Sequence, residues 1–175
     1  LGSLGYMRCA AEILDQIDGG DAPIDAPIDA IVLASGSAAT HVGMLLGLRL
    51  LGSDIPVHGI CVRRDAVQQA QRVRDIIRLA EELVGCGRVV EDSDVFCHDD
   101  WFGPGYGKPI ESTFEAIDLA GRLEAVIVDP VYTAKSLAGA IGLMRDGAFG
   151  ADQRVLWIHT GGLPSVFAYG DKMLG

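Results

Sequence analysis

The sequence predicts an α/β protein with a mainly parallel open sheet and helices on both faces. Three observations lead there. Short apolar runs rich in β-branched residues alternate with longer stretches of helical periodicity, the pattern of successive βαβ units. Glycines and hydroxyl residues mark the ends of these stretches, where helices stop and start. Nearly half of the 175 residues are apolar and 22% are charged, a balance that closes one core at this length, so residues 1–175 read as one domain.

Along the chain, Leu1-Gly2-Ser3-Leu4-Gly5 reads as a loop leading into a helix over Tyr6–Ile17, which Gly19-Gly20 stops. With no initiator Met ahead of it, this start reads as cut from something longer. Asp21 to Asp29 is a tandem four-residue repeat containing Pro23 and Pro27, acceptable to neither a helix nor a central strand, and is expected to be a surface linker. Strands are expected at Ile31–Ala34, Val57–Val62, Val89–Val90 with Val95–Phe96, Ala125–Val128 and Val155–Ile158. Between them the helical periodicity covers Thr40–Leu51, Asp65–Leu83, Ser112–Leu123 and Lys135–Arg145. Ser112 with Glu115 reads as a capping box, and Gly52 and Gly147 follow helix C-termini. The helix after Thr40 is apolar nearly all round, through Val42, Met44, Leu45, Leu46, Leu48, Leu50 and Leu51, so it is expected to lie buried against the sheet.

Charge narrows the partners. A net charge of −10 opposes binding to nucleic acid or to an anionic membrane, both of which need clustered Lys and Arg, and points to small molecules. No apolar stretch approaches the roughly 20 residues that cross a bilayer, and the N-terminus carries no basic region followed by an apolar core. A soluble, cytoplasmic protein is expected. Cys9, Cys61, Cys86 and Cys97 are scattered without a C-x-x-C pair, which fits reduced thiols rather than a disulfide framework or zinc site, so no metal is expected.

In open parallel sheets ligands bind beyond the C-terminal strand ends. The first strand runs into Ser35-Gly36-Ser37-Ala38-Ala39-Thr40-His41 at the start of the buried helix. Small residues there let a backbone approach a ligand, and N–H groups at a helix start with nearby hydroxyls suit a phosphate. The turn matches neither the Walker nor the dinucleotide fingerprint, and an ordinary capped turn has the same composition. His41 reads as a packed or capping residue. The loop Asp100 to Pro109 is rich in glycine and aromatics; its glycines could project Tyr106 into a cleft, or Trp101 and Phe102 could simply anchor a surface loop. Asp129 to Ser136 places Tyr132 and Thr133 at a helix start, where Thr133 suits an N-cap. The last strand delivers His159-Thr160-Gly161-Gly162.

Five segments together resemble the D-cysteine desulfhydrase and aminocyclopropane-carboxylate deaminase group of pyridoxal-phosphate (PLP) enzymes, which share the tryptophan synthase β-type fold. They are L-G-S-L-G-Y (Leu1–Tyr6), A-S-G-S-A-A-T-H-V-G (Ala34–Gly43), G-P-G-Y-G-K-P (Gly103–Pro109), D-P-V-Y-T-A-K (Asp129–Lys135) and H-T-G-G-L-P (His159–Pro164), with Val166–Tyr169 beyond. The resemblance implies that this is the larger-domain part of that fold. It implies that Ser35, Gly36, Ser37, Ala38, Ala39 and Thr40 hold the cofactor phosphate, that Tyr106 and Tyr132 are the catalytic tyrosines, and that Thr160 bonds the pyridine nitrogen. Thr133, within the matched D-P-V-Y-T-A-K segment, is also counted in the cofactor-binding set.

In that family the lysine carrying the cofactor follows a Gly-Gly-Asn stretch in the N-terminal part, and none of that context is present here. Lys108, Lys135 and Lys172 are the only lysines, and Lys135 reads as a solvated helix lysine rather than a Schiff base. The chain is therefore expected to be a C-terminal fragment, inactive by itself, of a parent that is a homodimer when complete. The implied parent reaction is α,β-elimination on a small cysteine-like amino acid, giving pyruvate, ammonia and sulfide. L-cysteate sulfo-lyase is the runner-up. The deaminase is disfavoured because Thr133 stands where ring-opening deaminases carry Glu, and a non-catalytic truncated remnant is the alternative of a different class.

Overall fold

The computed structural model describes residues 2–19 and 27–170. In chain order the elements are α1 (Gly2–Gly19), β1 (Ala30–Ser35), α2 (Ala39–Leu50), β2 (Val57–Cys61), α3 (Ala66–Val84), β3 (Phe96–His98), α4 (Glu111–Glu124), α5 (Thr133–Arg145), β4 (Val155–Trp157) and α6 (Leu163–Val166). The strands form a four-stranded sheet in the order β3-β2-β1-β4, and every pairing is parallel. The expected repeat linker lies mostly outside the described residues, which resume at Pro27.

Two faces follow from the pleat of β1. Ile31 and Leu33 point to one side, into a core with Val42, Leu45, Val73 and Ile77 from α2 and α3, against which Tyr6, Met7 and Ile13 of α1 pack. Ala30 and Val32 point to the other, where they meet Ala140 and Leu143 of α5. Burial of β1 on both faces is why its sequence is a continuous apolar run rather than an alternating one. The helix α2 is buried from His41 to Leu48, as its all-round apolar character predicts. It lies so close to α1 that a Cβ on Gly43 would stand 2.2 Å from the Ser3 carbonyl oxygen.

Several local expectations are corrected. The helix α1 begins at Gly2, so Gly2 to Gly5 are helical rather than a loop. Val89 and Val90 form no strand: both amides donate to the buried Glu81 carboxylate, at 2.9 and 3.0 Å, and so do not enter a ladder. Ala125–Val128 is not a strand either. Ala125 takes a left-handed conformation (φ 55) and the Val126 amide closes the end of α4 on the Ala120 carbonyl at 3.0 Å. The capping box at Ser112 is absent, because α4 begins one residue earlier. Thr113 Oγ1 accepts from the Ile110 amide, Glu115 pairs with Arg145, and the buried Ser112 hydroxyl has no partner among the described residues. Gly52 and Gly147 do end their helices, both at positive φ.

Candidate cofactor site at the strand ends

The chain steps outward from β1 to β2 to β3 and then returns to place β4 on the other side of β1. The order therefore reverses between β1 and β4, and a crevice opens there beyond the carboxyl ends of the two strands. That crevice is a cavity of about 320 Å³ lined by Tyr6, Ala34, Gly36, Ser37, Thr40, Arg63, Tyr106, Tyr132, Thr160, Gly161 and Gly162. Loops expected to be functional from four separate regions thus meet in one place.

At one end lies the β1–α2 turn. Ala38, the residue before the helix, sits in the left-handed region at φ 76, a strained conformation for a residue with a Cβ, and it turns the chain sharply into α2. Ser37 and Thr40 line the cavity with the first turn of α2 and its outward N–H groups. Ala38 and Ala39 belong to the turn but do not line the cavity. Ser35 faces inward: its hydroxyl accepts from Gln69 Nε2 at 2.9 Å and meets His41 Nδ1 at 3.2 Å, all three side chains being buried. From behind, Arg64 and Arg72 donate to the carbonyls of Gly36 (2.9 Å) and Ser37 (3.1 Å), which fixes the outline of the turn. Gly36 sits close to its neighbours: a Cβ there would stand 3.0 Å from Val62 Cγ2, tight enough that Val62 would have to shift, and 4.0 Å from the Tyr132 ring.

Across the cavity stand the two tyrosines, whose rings meet edge to face with centroids 5.9 Å apart and whose hydroxyls are hydrogen-bonded to each other. Tyr106 reaches that position because Gly103 and Gly107 beside it adopt φ 72 and 68, turning the chain where a side-chain-bearing residue would be strained. The loop is then pinned on both sides. Lys135 is fully buried, contrary to the solvated helix lysine expected, and its Nζ donates to the carbonyls of Phe102 (2.5 Å) and Gly105 (3.4 Å) while lying 5.5 Å from the Phe102 ring centre. On the opposite side the Tyr169 hydroxyl donates to the Gly107 carbonyl at 2.6 Å. Trp101 packs against Gly142 of α5, where a Cβ would stand 2.1 Å from the indole. The hydrogen bond from Tyr106, followed by burial, pushes the Tyr132 phenol up to about 12, so it is neutral at physiological pH.

Asp129 joins the tyrosine wall to the β4 loop. Its buried carboxylate accepts from the amides of Val131, Tyr132 and Thr133 at 2.8–3.0 Å, capping α5, and from Ser165 Oγ at 2.9 Å. Thr133 is accordingly the first helical residue and not the cap. Its hydroxyl both donates to Asp129 Oδ1 and accepts from the Asp129 amide, and it is buried away from the cavity, so it supports the site without lining it. Thr160 does line the cavity. His159 beside it points elsewhere, with Nε2 donating to the Ile127 carbonyl at 2.9 Å.

Tyr6 and Arg63 were not singled out as site residues by sequence reasoning, yet both reach the cavity. Tyr6 belongs to a helix that periodicity assigns to packing. Arg63 follows β2 at the same strand-end level as the other loops, and that position was the available signal. Among the described residues no group of three His, Cys, Asp or Glu side chains is placed to hold a metal ion, and no helix is long and apolar enough to cross a membrane.

A parallel sheet with a hydroxyl-lined helix start at its switch point, facing paired phenols, is the architecture of a cofactor-binding α/β enzyme. Residues 1–161 match the family model described as "Pyridoxal-phosphate dependent enzyme", and the chain belongs to that family. It is 38% identical over 169 residues to a D-cysteine desulfhydrase of Salmonella typhi and 40% identical over 169 residues to one of Salmonella paratyphi C. Each match covers 97% of this chain and 49% of the relative, so the chain spans about half the length of the curated relatives it matches. Among solved structures it resembles an ACC deaminase homologue, with a TM-score of 0.84 and 35% identity over 98% of this chain and 49% of that one. An O-ureido-L-serine synthase shares the fold alone, at a TM-score of 0.52 and 13% identity.

Proposed function

We propose that the cavity at the β1–β4 switch point is the cofactor and substrate site of a PLP-dependent lyase acting on a small cysteine-like amino acid, with D-cysteine as the reference substrate. The observation that carries this reading is the convergence of Ser37 and Thr40, the Tyr106–Tyr132 pair and Thr160 in one cavity, lined by no carboxylate among the described residues. The residues fit the group. The Ser37 and Thr40 hydroxyls with the first amides of α2 suit a phosphate, while Thr160 offers a neutral hydroxyl to a pyridine nitrogen. When bound, PLP supplies the electron sink for α-proton removal and loss of the β-substituent.

The chain's own part is positioning and proton custody. Of the two bonded phenols one donates to the other, which leaves one hydroxyl proton directed at the substrate space, and Tyr132 is held neutral to keep it there. None of the three lysines has the context of the family's cofactor-carrying lysine, so the 175-residue chain is expected to bind PLP without turnover. The complete protein would be a cytoplasmic homodimer. The test is an absorbance titration with PLP of the wild-type chain and of a Thr160→Val variant, together with an assay of pyruvate release from D-cysteine. Saturable binding weakened by Thr160→Val, without turnover, supports the reading; absence of saturable binding refutes it.

A further inference from the structure

Among the described residues Arg63 is the one cation lining the cavity, and no carboxylate lines it, in a protein with 24 acidic and 14 basic residues. Its guanidinium has no ion pair or hydrogen bond among the described residues, whereas neighbouring Arg64 and Arg72 spend theirs on the Gly36 and Ser37 carbonyls. Arg78, Arg88, Arg122 and Arg145 by contrast each pair with a carboxylate. A planar five-donor fork left unpaired at the wall of a cavity is arranged for an oxyanion.

The position of Arg63 says which one. It stands two residues beyond the end of β2, next to Val62, which packs over Gly36 at the foot of Tyr132. Its positive charge is felt at the Tyr132 phenol, partly offsetting the upward push from Tyr106 and burial. The phosphate-fitting hydroxyls belong to the separate α2 turn, which the other two arginines already brace. Arg63 therefore shares the cavity wall with the Tyr106–Tyr132 pair and takes no part in bracing the phosphate-fitting turn.

Building on the PLP reading above, we propose that Arg63 is a specificity-determining residue that recognises a fully anionic β-substituent, of the sulfonate class, on the amino acid held between the cofactor and the Tyr106–Tyr132 pair. A guanidinium discriminates strongly here, because a sulfonate accepts two parallel N–H bonds at every pH of interest and a thiol accepts neither as well. Within the cysteine-like amino acids the preference then runs toward those whose sulfur is oxidised and charged.

The test needs no turnover. Borohydride reduction of PLP mixed with an amino acid gives a stable phosphopyridoxyl conjugate carrying both cofactor and substrate parts. Three ligands are titrated by calorimetry into the wild-type chain, Arg63→Gln and Arg63→Lys: PLP, phosphopyridoxyl-alanine and phosphopyridoxyl-L-cysteate. The wild-type chain should bind the cysteate conjugate about ten-fold or more tighter than the alanine conjugate, a charge-assisted bidentate bond being worth at least one decade. Arg63→Gln should erase that preference while PLP and the alanine conjugate stay within about two-fold, and Arg63→Lys should restore part of it. Equal weakening of all three ligands would assign Arg63 to the phosphate, and equal weakening of the two conjugates with PLP unchanged would assign it to the α-carboxylate; either result would overturn the proposal, as would a preference untouched by Arg63→Gln. If the wild-type chain binds none of the three, the PLP reading itself falls and takes this one with it.

Discussion

Replacing Lys135 by Met tests how the Tyr106 loop is held. The substitution keeps a straight, unbranched stem in a fully buried position, exchanges the Cδ methylene for a sulfur and deletes the ammonium. The bond to the Phe102 carbonyl at 2.5 Å is a charge-assisted one, worth about 1.5–3 kcal/mol, and its loss leaves that carbonyl unsatisfied. The bond to Gly105 at 3.4 Å is at the limit of geometry and adds little. The Phe102 ring contributes about 0.5–1 kcal/mol more. Against this stands the cost of holding a charge in the interior, visible in the downward push that burial exerts on the Lys135 ammonium, and this cost disappears in the variant. The net expectation is a loss of about 1–2 kcal/mol. Urea unfolding should show a lower midpoint at unchanged slope, and limited proteolysis should cut preferentially between residues 99 and 109, since that loop loses its tie to α5 through Lys135. A variant as stable as the parent, with the loop equally resistant, would refute the role of Lys135 as a staple.

Other expectations follow from the same contacts. With its donors committed to Phe102 and Gly105, Lys135 should remain unmodified when the PLP-loaded chain is reduced with borohydride and mapped by mass spectrometry; a pyridoxyl group there accompanied by turnover would overturn both its structural role and the expected inactivity of the chain. His58, stacked on Phe96 and His98 and edge-on to Phe149, is held at about 4 by burial, then by His98 and His41, against an unfolded value of 6.5. Its folded value lies below its unfolded one, so the unfolded chain takes the proton first and stability should fall as pH drops from 6.5 to about 4. Allowing for partial exposure, the loss should be about 1–2 kcal/mol, and His58→Asn should flatten the profile; an unchanged profile would exclude His58 as its source. Gly36→Val should weaken PLP binding about ten-fold or more, because the new side chain collides with Val62 and pushes toward Tyr132, and an unchanged affinity would detach the turn from the cofactor.

The sequence made the sheet's centre legible because β1, β2 and α2 are buried on all sides, and such elements write continuous apolar runs. The convergence of Tyr106 and Tyr132, 26 positions apart, was legible through the glycines of one loop and the strand-end place of the other. Two runs with strand composition failed for a common reason: their amides were claimed by nearer acceptors, the Glu81 carboxylate for Val89 and Val90 and the end of α4 for Val126. A buried carboxylate eight residues upstream leaves no mark in local periodicity. Lys135 misled because a lone cation on a helix is usually solvated, and only the folded loop supplies the carbonyls that bury it. Arg63 was passed over because its strand-end place was its only mark in the sequence, while its want of a partner among the described residues shows only in the fold.

Asp129 has a further consequence. One carboxylate caps α5 beneath Tyr132, takes the Ser165 hydroxyl, and occupies the space that the missing Cβ of Gly162 leaves open, where an added carbon would meet Oδ1 at 2.3 Å. The phenol wall and the Thr160 wall are thereby keyed to each other like two halves of a lock case. Anyone exchanging loops between relatives to alter substrate choice would have to transplant the segments around Asp129 and Gly162 as a matched pair, because either one alone would meet a counterpart cut for a different key.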